Sequence, residues 1–301
     1  MNFVIRITRK IKPWGFSGLS IYDVAIFFWK GLIEGAITTR SSSLAFNFFL
    51  AFFPSLIVFF TLIPYLPIDD LQETLIEIIT SVLPPKTNAI TFTTLDDVIN
   101  NPRGGLLSIG FILTLYFSTN GINSLIEAFN SSYHIKEVRP MIQQRLLSIA
   151  LTLILSLMLI IAIVLIIFGK LIVSYLMNVN IISNYSADLI LFGKWLTIFL
   201  MLFFGISTLF NLGPSLKSKW KLFTAGSIFA TFGIIITSIG FNYYINNFSQ
   251  YNKIYGSIGT LMIILLWIYF NSIILLTGFE LNASITNAKK NSNRKFAKKS
   301  N

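Results

Sequence analysis

The run LLSIALTLILSLMLIIAIVLIIF, Leu146–Phe168, contains no charged side chain. At 1.5 Å of rise per residue it exceeds the ~20 residues needed to cross the hydrocarbon core of a bilayer. A helix that is apolar on every side has no water-facing stripe, so this segment reads as a membrane span. Five more runs of similar length accompany it: Leu44–Ile63, Gly105–Ile126, Leu189–Phe210, Leu222–Phe241 and Ile258–Leu281. The composition agrees, since 54% of the 301 residues are hydrophobic and only 12% are charged. That balance, with a mean hydropathy of +0.73, is too apolar for a soluble fold of this length. The expected fold is an all-α integral membrane protein with six transmembrane helices.

The stretch Ile21–Thr38 is also apolar, but it carries Asp23, Lys30 and Glu34, and Ser20-Ile21-Tyr22-Asp23 has the order of a helix-starting capping box. It reads as an amphipathic helix at the membrane interface. Basic residues orient the spans, because cytoplasmic loops retain Lys and Arg. Eighteen fall on one side, in residues 1–40, in the loops after the second and fourth spans, and in the tail. The opposite loops hold four: Lys86, Arg103, Lys170 and Lys253. Both termini are therefore expected in the cytoplasm. A seventh span at Ile21–Thr38 would translocate Arg6, Arg9, Lys10 and Lys12, which argues against it.

The expected organisation is a cytoplasmic N-terminus with its interfacial helix (1–40), a transmembrane domain (41–285) and a basic cytoplasmic tail (286–301). The first outside loop, 65–104, collects Asp69, Asp70, Glu73, Glu77, Asp96 and Asp97. Within it Asp69–Val82 has the spacing of a short amphipathic helix ended by Pro84-Pro85. The basic start is followed by Pro13-Trp14-Gly15 and not by an apolar core, so no cleavable signal peptide is expected.

Cysteine is absent and His134 is the one histidine. This excludes disulfides, thiolate chemistry and the Cys- or His-rich motifs that bind zinc. No metal, cofactor or catalytic residue is expected, and the chain does not read as an enzyme. The net charge of +11 raises nucleic acid as a partner, but the basic tail Lys289–Lys299 adjoins a span. There anionic lipid is the simpler partner, and no nucleic acid is expected.

Several residues stand out against this apolar background. Tyr116, Asn120, Asn123, Glu127, Asn130 and His134 recur at intervals of 4, 3, 4, 3 and 4, which puts them on one helix face. Such a face is expected to avoid lipid, either hydrogen bonding to neighbouring helices or lining a polar cavity. Arg40, Glu127, Arg145 and Glu280 lie at a similar level near the cytoplasmic boundary, as structural ion pairs or as a site for an anionic head group or a proton. Glu280, about 33 Å from the outer end of its span at 1.5 Å per residue, is expected to stay ionised and to face an arginine. Gly226, Ala230, Gly233, Thr237 and Gly240 form a small-residue face suited to close helix packing.

With these segments placed, the chain resembles the YihY/BrkB family of bacterial inner-membrane proteins, once labelled ribonuclease BN. The resemblance covers roughly residues 25–288. It rests on Ser43-Leu44-Ala45-Phe46 with Pro54, on Asn101-Pro102-Arg103-Gly104 leading to Leu107-Ser108-Ile109-Gly110, and on Asn130-x-x-Tyr133 with Arg139 and Arg145. The strongest part is Tyr255-Gly256-Ser257-Ile258-Gly259, Leu266-Trp267-Ile268-Tyr269 and Gly278-Phe279-Glu280-Leu281-Asn282. Two positions depart from it: Phe279 stands where similar proteins usually have alanine, and Gly213-Pro214-Ser215 replaces a more usual Pro-Asn pair.

The resemblance implies a multi-pass inner-membrane protein with cytoplasmic termini, associated with serum resistance and with envelope or lipid-linked transport. A zinc-dependent ribonuclease is not supported by a chain with one histidine. Two functions follow. One is a transporter or flippase-like protein for an amphipathic or anionic envelope component, with Asn120, Asn123, Glu127, Asn130, Arg40, Arg145 and Glu280 on its path. The other is a non-transporting scaffold that positions envelope-assembly proteins.

Overall fold

The structure, a computed structural model, describes residues 8–13, 15–62, 104–132, 139–178, 186–215, 220–248 and 257–297. The regular structure of the described residues is entirely helical: α1 (Ile21–Glu34), α2 (Ile37–Leu62), α3 (Gly104–Asn130), α4 (Met141–Asn178), α5 (Ser186–Leu212), α6 (Ala225–Phe248) and α7 (Ser257–Ala297). All but α1 are long and apolar enough to cross a membrane. Between 17 and 28% of each span's apolar window is buried within the protein, so most of that surface is left for lipid to cover. The expected surface helix Asp69–Val82, Lys86 and His134 lie outside the described residues.

Helix boundaries follow local chemistry more closely than hydropathy does. Ser20 caps α1, its hydroxyl accepting from the Asp23 amide at 3.1 Å, and α1 stops at Gly35. The fifth span was expected from Leu222, but α6 starts at Ala225 because Thr224 and Ser227 cap it reciprocally. The Ser227 amide donates to Thr224 Oγ1 at 3.1 Å and the Thr224 amide donates to Ser227 Oγ at 3.2 Å. At the far end of the chain, α7 continues as helix through Lys289, Lys290, Arg294 and Lys295, beyond the apolar stretch.

The chain forms two compact units, Phe46–Gly121 and the combination of Met1–Ala45 with Ile122–Asn301. In the smaller unit α2 and α3 approach at glycines. A Cβ at Gly110 would stand 3.1 Å from Ile57, and one at Gly121 would stand 3.1 Å from Phe48. Pro54 lies inside α2, where it removes one backbone donor.

In the larger unit α7 packs against α6 and α1, α4 against α5, and α5 against α6. The α6–α7 contact is made by small residues. A Cβ at Gly226 would overlap the Gly278 carbonyl, one at Gly278 would meet the Ala230 Cβ at 2.8 Å, and one at Gly233 would meet Ile274 at 2.6 Å. Lipid supplies no hydrophobic drive between helices, so close backbone approach is how dispersion contacts accumulate there. Gly240 does not take part, since no described atom lies within 4 Å of where its Cβ would be.

Candidate functional site

Five consecutive residues of α7, Gly278 to Asn282, organise one end of the larger unit. Gly278 lets α6 come close. Phe279 stacks on Phe129 with ring centroids 4.3 Å apart and meets Phe210 edge-on at 5.8 Å, tying α3, α5 and α7 through three buried rings. Asn282 reaches across to the start of α6, where its Oδ1 accepts from the Gly226 amide and its Nδ2 donates to Thr224 Oγ1, both at 2.8 Å. The side chain thus satisfies one of the four free amides that every helix N-terminus exposes.

Glu280, the charged member of the five, is 0% exposed. Its Oε1 accepts from Ser132 Oγ at 3.0 Å, and its Oε2 faces Arg40 Nη2 at 3.5 Å. Arg40 Nη1 donates to the Ala128 carbonyl at 2.6 Å, close to the end of α3. The Arg40 side chain is only 10% exposed, yet its Nε is buried without a hydrogen-bond partner. The expected arginine partner of Glu280 is thus Arg40, which stands one turn inside α2.

Two glycines that sequence reasoning missed make room for this pair. A Cβ on Gly31 would overlap the Glu280 carboxylate, and one on Gly35 would overlap the Gly31 carbonyl and stand 2.8 Å from Arg40 Nη2. Their spacing, Gly31-Leu32-Ile33-Glu34-Gly35, is the small-xxx-small signal that could have marked them.

The remaining candidates gather elsewhere. Glu127 is exposed on α3 and pairs with no arginine among the described residues. It accepts from Asn123 Nδ2 at 2.6 Å and from Gln144 Nε2 at 3.4 Å. Gln144 and Ser148 of α4 also donate to Asn123 Oδ1, at 3.1 and 3.3 Å. The cluster of four charges expected from their common level does not form as one group: Arg40 pairs with Glu280, and Glu127 bonds to the neutral amides of Asn123 and Gln144. Arg145 is half-buried on α4.

Asn130 takes a third direction, its Oδ1 accepting from the Ser215 amide at 2.8 Å, while Asn130 Nδ2 and Ser215 Oγ are buried without partners. Beside it Arg139 donates to the carbonyls of Leu212, Gly213 and Pro214 at 3.2, 2.7 and 2.8 Å, closing the C-terminus of α5. Burial draws the Arg139 guanidinium below its ordinary value, although an arginine stays charged throughout the working range. Asn120, in the smaller unit, is half-buried. Tyr116, one turn before it, is 55% exposed, so the polar stripe does not turn inward along its whole length. Among the described residues no three metal-ligating side chains come together.

Six membrane-length helices with buried polar contacts at one end of the larger unit define a multi-pass α-helical membrane protein. A family model described as virulence factor BrkB matches residues 28–301, and the chain belongs to that BrkB/YihY family. It is 31% identical over 252 residues to the ribonuclease-like protein YfkH of Bacillus subtilis, covering 84% of this chain and 91% of that protein. It is 24% identical over 275 residues to a UPF0761 membrane protein of Haemophilus influenzae, covering 89 and 96%. A UPF0761 membrane protein of Pseudoalteromonas translucida is 26% identical over 261 residues, covering 84 and 83%. No solved structure matches. The family is one of membrane proteins and not a known enzyme family.

Proposed function

We propose that the protein is a bacterial inner-membrane transporter, flippase-like in action, that moves an amphipathic, anionic component of the cell envelope. Both termini lie in the cytoplasm, with α1 at the membrane interface. The observation that carries this reading is the incompletely answered guanidinium of Arg40. Of the five N–H donors of an arginine, Nη1 has a good acceptor, Nη2 has one at 3.5 Å, and Nε is buried with none. A buried donor without an acceptor costs free energy, and a phosphate or carboxylate head group supplies acceptors in the two-pronged geometry that a guanidinium fits.

In this mechanism the head group replaces Glu280 on Nη2 and takes Nε as well. Glu280 keeps Ser132, and returns to Arg40 when the anion leaves. Asn123, Glu127, Asn130 and Arg145 of the larger unit are the further polar groups assigned to the path. The exposed Ile26, Trp29 and Ile33 of α1 suit contact with the membrane surface. Exposed Lys289 and Lys290 suit anionic lipid at the cytoplasmic side.

The test is reconstitution into liposomes carrying fluorescent phosphatidylglycerol, with the outer leaflet quenched by dithionite. Protein-dependent loss of the protected inner-leaflet signal is expected. The neutral pair Arg40→Gln with Glu280→Gln should fold and be inactive, because it keeps a hydrogen-bonded contact and lacks the anion-binding charge. Transport at the wild-type rate by that double variant would remove Arg40 from the mechanism. If wild-type vesicles match protein-free ones, movement of this lipid class is refuted.

A further inference from the structure

We propose that α1 is a lid over the Arg40–Glu280 pair, seated by Gly31 and Gly35 and hinged at Ala36. Glu280 has no exposed surface, and α1 supplies part of its cover. The Gly31 backbone lies so close to the carboxylate that a Cβ there would overlap it, and a Cβ on Gly35 would meet the Gly31 carbonyl first and then Arg40 Nη2 at 2.8 Å. A glycine at each position lets a helix that is not itself a span press onto charged groups of α2 and α7. Its opposite side keeps Ile26, Trp29 and Ile33 exposed, with Trp29 at 65%. The helix therefore has one face shaped to the ion pair and another free to meet a membrane surface.

The junction with α2 is built for rotation. The α1 helix ends on a Gly35 cap whose amide donates to the Gly31 carbonyl, and α2 begins at Ile37. Between them Ala36 has φ +46°, in the left-handed region that an L residue with a Cβ enters at a cost. Such a backbone persists when the structure on both sides holds it. Here one side is held by the glycine seat on Glu280 and the other by Arg40, one turn into α2. Unseating α1 lets Ala36 relax toward an ordinary conformation, so seat and hinge are coupled. The lid stands on its own geometry, and its use in transport rests on the reading of Arg40 as the anion site.

The natural chain has no cysteine, so a single reporter can be placed beside the carboxylate. Ser132, buried and 3.0 Å from Glu280 Oε1, is the position. Full-length Ser132→Cys protein in nanodiscs is treated with a membrane-impermeant maleimide. Its modification should be slow, and adding Gly31→Leu should raise the rate by about tenfold or more, as expected when a local opening becomes the populated state.

A second reporter, Ser207→Cys on α5, is as fully buried and should stay slow with or without Gly31→Leu. Equal rates for Ser132→Cys with Gly31 and with Leu at 31 overturn the lid. Simultaneous exposure of the Ser207 reporter also overturns it, by showing that α1 holds up the whole bundle. None of these readings needs transport, so a failed flippase assay and a failed lid are separable results.

Discussion

Removing the Glu280 carboxylate is the perturbation with the clearest energetic consequence. The ion pair is separated by 3.5 Å, and with an effective dielectric of ~20 the attraction between unit charges at that distance is about 5 kcal/mol. Much of it is offset by the desolvation of both groups. The Glu280→Ala change, however, leaves Arg40 behind as a buried cation, and breaking one partner of a buried pair typically costs about 3–5 kcal/mol. The hydrogen bond from Ser132 is lost as well. At roughly 2–4 °C per kcal/mol for domains of 150–250 residues, the apparent melting temperature should fall by on the order of 10 °C.

The assay is the temperature at which the detergent-solubilised protein loses its monodisperse peak, measured at one heating time because such unfolding is seldom reversible. Four proteins close the cycle: wild type, Glu280→Ala, Arg40→Gln and the double variant. The double variant should recover part of the loss, because it removes both charges together. If Glu280→Ala melts within a degree or two of wild type, or if the two losses simply add, the pair is not the stabilising contact described above.

Other consequences can be checked in the same preparations. Gly226→Val should destabilise by about 1–3 kcal/mol or more through collision with the Gly278 backbone, whereas Gly240→Ala, which meets nothing, should be neutral or gain about 0.5–1 kcal/mol. Arg139→Ala should lower the melting temperature because three carbonyls lose their donor, at about 1–3 kcal/mol for a buried acceptor left unanswered. Glu127→Gln should leave abundance and melting near wild type, since its partners are amides and its side chain is exposed, and should reduce transport in the liposome assay. Cysteines at 219 and 295 should be protected from an impermeant outside reagent in intact cells, while cysteines at 86 and 97 should react. Outside labelling at 219 would reverse the proposed orientation.

The six spans were legible because burial in lipid requires continuous apolar sequence, and hydropathy measures that requirement directly. Boundaries were less legible, since they depend on backbone hydrogen bonding. The reciprocal cap of Thr224 and Ser227 starts α6 after Leu222 and Phe223, both apolar, and α7 keeps its helical hydrogen bonds past the last apolar residue. The depth of Glu280 could be computed from helix rise, and so could its common level with Arg40. Rise gives position along an axis and says nothing of direction around it. Asn123 and Glu127 share a face toward Gln144 and Ser148. Ala128 and Ser132, also four residues apart, share a different face toward Arg40 and Glu280. Grouping by level alone places Glu127 with Arg40, whose contact is at Ala128, about one 100° step around the helix from Glu127.

Gly31 and Gly35 do not stand out in the sequence because α1 reads as a surface helix, and a surface helix has no evident need for close approach. The ion pair supplies the need. A carboxylate and a guanidinium that leave water must be enclosed by groups that do not push them apart, and a side chain on α1 would do so at both positions. The segment Gly278–Asn282 faces the same demand from the other side. Gly278 brings α6 near, Phe279 fills the space beside Phe129 and Phe210, and Asn282 satisfies the Gly226 amide of α6, so that Glu280 is fixed by apolar packing and hydrogen bonds before any electrostatic term is counted. Arg40 is less tightly provided for, with a long contact to Glu280 and an unanswered Nε. That inequality, a carboxylate held firmly beside a guanidinium with donors to spare, is what an anion-exchange site requires, whereas a pair serving only to fasten helices would gain from the closer two-pronged contact that it lacks.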